Sequence, residues 1–449
     1  MTDPKLYSLA NQRGLIIALL CVHIASCSLS LVYVAHYYEY IGVFTFDRSQ
    51  LPAAILLVSL FALVSLGFVI CKFSFGYLIG FYFYTMVLGY LWLANFSRLE
   101  YNHWAGAISA IASILAFLAP ALLVTSPFRR TIALSKRQLD WLVYSLIVIA
   151  VCVIAYGARY SFRIVGIADI YRFRNELEFP TILRYLIGTT SNALLPFAFA
   201  ISFVRGKFLL AGAALFLLLL FYPVTLSKLT IFGPIWLLFL AVLCRVHSPR
   251  ITVLLSLLIP ICLGVVLVAL FSSGVAPYQV LFSYFSAVNF RMVAVPSAVL
   301  ELYSDFFSTH ELTHFCQMNF LKYLLTCPYS EQLSVVMLNT YNLGHANASL
   351  FATEGIASLG LGLAPLSAAG CGLVIAISNR ASAGLPASFV ILSSGMITHV
   401  LVNVPLATTL LSNGAALLFL LWYVVPRSIF DSTEADQPLP ESEQARRGS

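Results

Sequence analysis

Long apolar runs of about twenty residues, separated by short polar stretches, make up most of this chain. A run of this length crosses a bilayer as an α-helix, because a helix satisfies all its backbone hydrogen bonds internally. The pattern therefore predicts an all-α polytopic membrane protein with about twelve transmembrane helices. The predicted spans lie at 14–38, 51–71, 75–95, 104–124, 141–158, 183–204, 208–223, 229–244, 251–273, 356–378, 386–404 and 407–426.

The composition supports this class. Of the 449 residues, 60% are hydrophobic and 10% are charged, whereas soluble domains carry about 25% charged residues. The formal net charge is +7, but the basic residues are scattered through short loops and form no stripe, which argues against nucleic acid as a partner. We expect a single integral membrane domain at 1–428, in contact with membrane lipid, and a disordered cytoplasmic tail at 429–449.

Lysine and arginine set the predicted orientation, because they concentrate in cytoplasmic loops. With the amino terminus inside, the predicted inner loops hold most of the basic residues. Two long polar loops, at about 159–183 and 274–355, then face the outside. The basic residues assigned to the inner loops are Lys72, Arg129, Arg130, Lys136, Arg137, Arg205, Lys207, Arg245, Arg250 and Arg380.

The first long loop carries arginines on the face where the topology rule disfavours them. Arg172 with Glu176, and Arg174 with Glu178, are spaced as i,i+4 ion pairs on a helix. Alternatively, the planar guanidinium groups bind phosphate. Lys228 leaves the same choice open, between reaching the membrane surface and contacting phosphate.

The second long loop opens with a mostly apolar segment, 277–307, which is too interrupted to span. Its aromatic residues predict one or two helices lying along the membrane interface. Glu301 and Asp305 share one helix face. Arg291 lies between apolar neighbours and requires an anion, either a carboxylate of this loop or a phosphate.

Two short motifs follow in the same loop. His310-Glu311-Leu-Thr-His314 matches the zinc protease pattern, which needs two imidazoles on one helix face. The chain shows no clear third ligand, so we interpret it as a loop with two surface histidines and expect no metal. Cys316 and Cys327 share an outward loop, which favours a structural disulfide over two free thiols.

The densest polar and glycine-rich stretch is 342–362, where the second loop returns to the membrane. Glu354 in the first turn of a helix would stabilise the helix dipole. Together with His345 and Asn347 it also forms a hydrogen-bonding set suited to hydroxyl-rich ligands. Both interpretations of Glu354 stay open.

The layout resembles the bacterial O-antigen and oligosaccharide repeat-unit polymerases of the Wzy type. The resemblance rests on the twelve spans, the two outward loops and the junction from Asn347 through Glu354 to Gly360 and Gly362, which is similar to the Asn…acidic…Gly-x-Gly stretch of that family. The stretch from Leu226 to Trp236 is also similar. The resemblance implies a GT-C-like membrane glycosyltransferase in the bacterial inner membrane.

The family resemblance further implies that undecaprenyl-pyrophosphate-linked repeat units are polymerised at the periplasmic face. The growing chain is the donor and a new unit is the acceptor, with a chain-length regulator and a flippase as partners. Such chemistry needs cations for the departing pyrophosphate and a base for the acceptor hydroxyl, but no metal or other cofactor. From residue chemistry, the candidates are Arg172, Arg174, Arg291 and Lys228 for phosphate, Glu354 or His345 as base, and Asn347 for positioning sugar.

Two other functions stay open. An O-antigen ligase, or another lipid-linked glycosyltransferase, has a similar layout and the same chemical needs. A polytopic transporter would place ionisable groups near the helix centres, and here His23 and His399 are the exceptions in otherwise uncharged spans.

Overall fold

The computed structural model describes residues 4–430, except 167–168, 171–172, 174–175, 319–320 and 322–323. The described chain is helical, with one isolated β-bridge between Phe44 and Ser97. The helices are α1 Pro4–Tyr37, α2 Arg48–Ile70, α3 Phe75–Phe96, α4 His103–Leu123, α5 Lys136–Gly157, α6 Thr181–Val204, α7 Phe208–Thr225, α8 Lys228–Val246, α9 Pro249–Ser272, α10 Tyr278–Thr309, α11 Leu333–Tyr341, α12 Phe351–Ser382, α13 Ala387–Asn403, α14 Leu406–Leu411 and α15 Ala415–Val424.

Eleven helices of the described chain are long and apolar enough to cross a membrane. Apolar side chains on several of them are exposed, as expected of surfaces that face lipid; Leu209 is 95% exposed. The chain is therefore a multi-pass membrane protein, as predicted. The set of long helices differs from prediction in two places. Helix α10 is long and apolar enough to cross a membrane, although its segment was expected to be too interrupted to span. The last two apolar runs form the shorter helices α13 to α15.

The chain folds as two compact units, which we describe separately. Unit 1 comprises 1–125, 240–379 and 397–410. Its central helix is α3, in which every residue from Phe75 to Leu93 is buried. Glycines allow this packing: a Cβ at Gly76 would overlap the backbone of Ala121, and one at Gly89 would overlap Ser297.

Side-chain contacts define the two ends of unit 1. At one end, which we call the Gly76 end, Gln12 donates to Ser248 and accepts from Arg250, so the apolar span of α1, Gln12–Tyr37, begins beside the start of α9. Tyr82 of α3 hydrogen-bonds Ser256 of α9, each roughly 10 Å from the start of its helix. Helices α1, α3 and α9 therefore run parallel, and all three end at the opposite end, which we call the Tyr101 end.

Helix α10 begins and ends at the Tyr101 end, and it does not lie along the interface as predicted. Its first residue, Tyr278, contacts Phe271 at the end of α9, with ring centroids 5.9 Å apart. Its later limb, Val295–Thr309, returns beside α3. The prediction of interfacial helices was wrong because side chains of the segment contact residues of α1, α3 and α9 inside the unit. We call Tyr278–Thr309 the first re-entrant segment.

The turn of this segment lies well below the Tyr101 end. Asn289 donates to Ser30 Oγ and to the carbonyl of Ile261; along their helices these lie roughly 10 and 16 Å from the ends. A π-helical stretch, Phe290–Ala294, makes the turn. It directly precedes Pro296, whose ring excludes a regular helical hydrogen bond to the residue four before it.

The stretch before α12 also enters unit 1 from the Tyr101 end. Residues 342–350 are not helical until Leu350, yet Ser349 Oγ donates to Met86 Sδ, roughly 15 Å from the end of α3. The π-helical stretch Phe351–Ala357 then returns, and the Ala357 carbonyl accepts from Thr313 N at 2.7 Å. At Gly360 (φ +74°) the chain reverses and continues along α12. We call 342–357 the second re-entrant segment.

Unit 2 comprises 126–239, 380–396 and the chain from 411. Asp140 of α5 accepts from both Arg205 and Lys207, which joins α5 to the α6–α7 turn. Trp422 donates to Ser393 Oγ inside the unit. Ile429 and Phe430 are buried here, so the first two residues of the predicted tail are packed; residues 431–449 lie outside the described chain.

Candidate functional site

A buried carboxylate lies near the Tyr101 end of unit 1. Glu301 of the first re-entrant segment is fully buried, and its Oε2 accepts from the Tyr101 hydroxyl at 2.7 Å. His103 Nδ1 lies 4.0 Å from the same oxygen. Tyr101 and Tyr90 hydroxyls are 3.0 Å apart, which extends the network into α3. Burying an ionisable group is costly unless it is paired or hydrogen-bonded, so this cluster fixes the returning limb against α3 and α4.

Tyr101 and His103 were missed by the sequence analysis. Tyr101 lies in the short loop after α3 and His103 begins α4, and this stretch gives no sequence signal of a partner about 200 residues away. Burial and the nearby carboxylate of Glu301 raise the pKa of Tyr101, so its hydroxyl stays protonated and can donate. The available signal was Glu301 itself, an acidic residue in an otherwise apolar segment.

Asp305 holds α11 in place. Its Oδ2 accepts from the Tyr341 hydroxyl at 2.6 Å, and the same hydroxyl lies 3.3 Å from the carbonyl of Leu302. Burial and the Asp305 carboxylate raise the pKa of Tyr341. Glu301 and Asp305, the two carboxylates considered as partners of Arg291, thus both accept from tyrosines.

Arg291 lies in the deep turn of the first re-entrant segment and is exposed. Its neighbours Val293 and Ala294 are fully buried. A guanidinium at this depth is stable only where an anion or water meets it. Arg291 therefore lies below the Tyr101 end, and its phosphate role stays a prediction.

The second re-entrant segment carries His345 and Asn347, both exposed, on either side of the buried Ala346. Tyr303 donates to the Ala346 carbonyl at 3.4 Å, which joins this stretch to the first re-entrant segment. Non-helical backbone at membrane depth is tolerated where protein covers it or water reaches it. The exposed imidazole of His345 and amide of Asn347 give this segment a polar surface before it enters the unit at Ser349.

Glu354 is 4% exposed, and both its carboxylate oxygens are engaged. Oε1 accepts from the backbone N–H of Ala407 at 3.0 Å, and Oε2 accepts from Thr353 Oγ1 at 2.7 Å. It thus caps the start of α14, which is distant in sequence. The sequence predicted that Glu354 would stabilise the dipole of its own helix. The structure shows that it also joins two helices, by accepting a hydrogen bond from the start of α14.

In unit 2, the described part of the first long loop packs on the α7–α8 turn. Ile170 is buried against Tyr222 and Leu226, two residues before Lys228. Glu176 pairs with Arg163 at 2.8 Å. Arg172 and Arg174 lie outside the described residues, so their pairing with Glu176 and Glu178, and their phosphate role, stay predictions. Lys228 is half-buried at the start of α8.

The zinc-like motif does not lie on a helix. Helix α10 ends at Thr309, and His310 stacks on Phe306 with ring centroids 3.9 Å apart. His314 has φ +45°, so the two imidazoles do not share a helix face. Among the described residues, no group of three His, Cys, Asp or Glu side chains could hold a metal ion.

The structure links Cys316 and Cys327 by a disulfide, with Cα atoms 5.3 Å apart. The other seven cysteines are free thiols. The crosslink closes a short loop that begins just after the end of α10, and it restricts the unfolded chain.

We expect alkylation without reductant to leave Cys316 and Cys327 unmodified, because neither has a thiol. Peptide mass spectrometry of the folded protein checks this, with Cys21 and Cys152, both exposed, as internal controls. After reduction and unfolding, all nine cysteines should be modified. Alkylation of Cys316 in unreduced, folded protein would contradict the crosslink.

No family model, curated protein or solved structure matches the chain. The resemblance to repeat-unit polymerases therefore stays an expectation that rests on the residues and the layout.

Proposed function

We propose that this protein is a membrane glycosyltransferase that polymerises undecaprenyl-pyrophosphate-linked repeat units into a surface polysaccharide at the periplasmic face of the bacterial inner membrane. The observation that carries the proposal is the pair of re-entrant segments. Both enter unit 1 from the Tyr101 end; Arg291 lies on the first, and His345 and Asn347 lie on the second. In the proposed complex, the charged pyrophosphate of the lipid-linked substrate lies near the Tyr101 end, and its glycan extends away from the membrane.

The reaction needs a base, a cation and a positioned acceptor. The acceptor hydroxyl loses its proton to the base and bonds to the donor's anomeric carbon, while the bond from that carbon to the pyrophosphate oxygen breaks. The electron pair leaves with the pyrophosphate, whose charge Arg291 stabilises. His345 is exposed, whereas Glu354 is buried and hydrogen-bonded on both oxygens. We therefore favour His345 as the base, with Asn347 positioning the sugar.

A proton-coupled transporter is the second candidate. The buried Glu301, beside His103, is an ionisable group inside a broken membrane helix, and transporters use such groups. A ligase that transfers finished glycan to lipid A-core is the alternative within the same chemistry.

Deletion of this gene in its source organism separates the candidates. If the protein is a polymerase, its deletion should remove the long polysaccharide and leave single lipid-linked repeat units. A gel of surface polysaccharide resolves the two. Loss of a ligase leaves long chains on the lipid carrier, and none on lipid A. An unchanged gel, with no difference in lipid-linked products, would refute both glycosyltransferase functions and leave the transporter.

A further inference from the structure

A polar groove opens on the second long loop, beside the start of α12. Its volume is about 320 Å³, within the range of small-molecule sites, about 300–1,000 Å³. The proposed function has so far assigned nothing to it. Its lining residues are Glu311, Leu312, His314, Thr326 and Pro328.

Covalent and hydrogen-bonded links hold the two walls of the groove together. The Cys316–Cys327 disulfide joins the chain just beyond His314 to the chain between Thr326 and Pro328. Tyr329 donates from its hydroxyl to the carbonyl of Glu311 at 2.8 Å. The groove is therefore formed before any ligand binds, which lowers the entropic cost of binding.

The turn that presents His314 is strained. His314 and Phe315 have φ of +45° and +65°, a region that residues with a Cβ rarely adopt. Neighbouring contacts fix the turn: Cys316 N donates to Thr313 O, and Thr313 N donates to Ala357 O of the second re-entrant segment. Strained backbone of this kind persists where the surroundings impose it, and it concentrates at ligand sites.

The lining chemistry suits a saccharide. The Glu311 carboxylate can accept from two hydroxyls, and His314 and Thr326 can each donate or accept. Leu312 and Pro328 offer an apolar surface for the C–H face of a sugar ring. Among the described residues that line the groove, none is a lysine or an arginine.

We propose that the groove between Glu311–His314 and Thr326–Pro328 is a glycan-binding subsite that holds sugar residues of the repeat unit. This inference rests on the proposed function and adds the place where the saccharide, as distinct from its lipid pyrophosphate, is recognised. Thr313 connects the groove to the second re-entrant segment, on which His345 and Asn347 lie.

The test uses full-length protein in detergent and the source organism's repeat-unit oligosaccharide, released from its lipid by mild acid. Binding is measured by calorimetry for Thr326→Trp, which fills the groove, and Glu311→Gln, which removes the charged acceptor. We expect affinity at least ten-fold lower for the first and several-fold lower for the second. In the polymerisation assay, the KM for acceptor rises while kcat changes little.

Matched controls are Thr340→Trp and Glu331→Gln, at exposed positions on the same loop region outside the groove lining. Both should bind the oligosaccharide as wild type does. Wild-type affinity in Thr326→Trp, in protein whose disulfide is intact by mass, would overturn the subsite; so would failure of the wild type to bind. If the wild type binds oligosaccharide in the groove yet elongates no chain, the proposed function fails and the binding site stands.

Discussion

Arg291→Ala is expected to abolish long-chain product, with the folded protein present at normal abundance. The reason is electrostatic: in the proposed reaction Arg291 supplies positive charge where the pyrophosphate leaves, and removal of one such group costs on the order of 100-fold in rate. Loss of a structural ion pair would instead lower abundance. The carboxylates of Glu301 and Asp305 accept from Tyr101 and Tyr341.

Arg291→Lys separates charge from geometry. Lysine keeps the positive charge but lacks the planar fork that binds two phosphate oxygens together, so activity should stay well below wild type. Arg48→Ala, an exposed arginine at the start of α2, is the matched control and should leave chain length unchanged. Polysaccharide gels and immunoblots of membranes measure both quantities. Wild-type chain length in Arg291→Ala at normal abundance would remove Arg291 from the site.

Glu301→Ala is expected to destabilise unit 1 strongly, by about 2–4 kcal/mol, because it leaves a cavity and a buried hydroxyl without its acceptor. The side chain is fully buried, and its Oε2 accepts from Tyr101. Glu301→Gln keeps the volume and an acceptor oxygen for Tyr101, so it should fold with a smaller loss. Thermal unfolding of detergent-solubilised protein measures the difference.

The control for this prediction is Glu331→Ala, because Glu331 is exposed and its Oε2 accepts from Asn339, which is exposed as well. Its melting temperature should match that of the wild type. Equal melting temperatures for Glu301→Ala and Glu331→Ala would show that the Tyr101–Glu301 network does not hold the returning limb of α10. Activity of Glu301→Gln then reports whether the carboxylate's charge matters beyond packing.

Most of the helical architecture could be predicted from the sequence. Helices α1 to α9 follow the apolar runs because the transfer of a continuous apolar stretch into lipid depends on local composition alone. The pairing of Cys316 with Cys327 followed from their shared position on one polar loop. Length and hydrophobicity thus determined the membrane class and the helices of the first 272 residues.

The candidate site could be predicted only in part, because its geometry depends on partners far away in sequence. Residues 277–307 contain several polar residues, and hydropathy favoured a place at the interface. The structure instead places this segment inside unit 1, where Ser297 donates to the carbonyl of Met86 and Gly89 leaves room for the contact. Close packing between helices, which local composition does not encode, decided the fold of this segment.

Individual residues show the same division. The sequence identified Glu354 as an unusual polar group, but the tertiary structure decided that it bonds Ala407, 53 residues away. The His310–His314 spacing matched a zinc motif that we interpreted as a loop with two surface histidines, and the structure agrees, because α10 ends at Thr309. The sequence by itself determined most of the segments that enter the membrane, but not the first re-entrant segment. Tertiary structure decided which of them turn back and which polar groups meet, because a buried polar atom must find its hydrogen-bond partner wherever in the chain that partner lies.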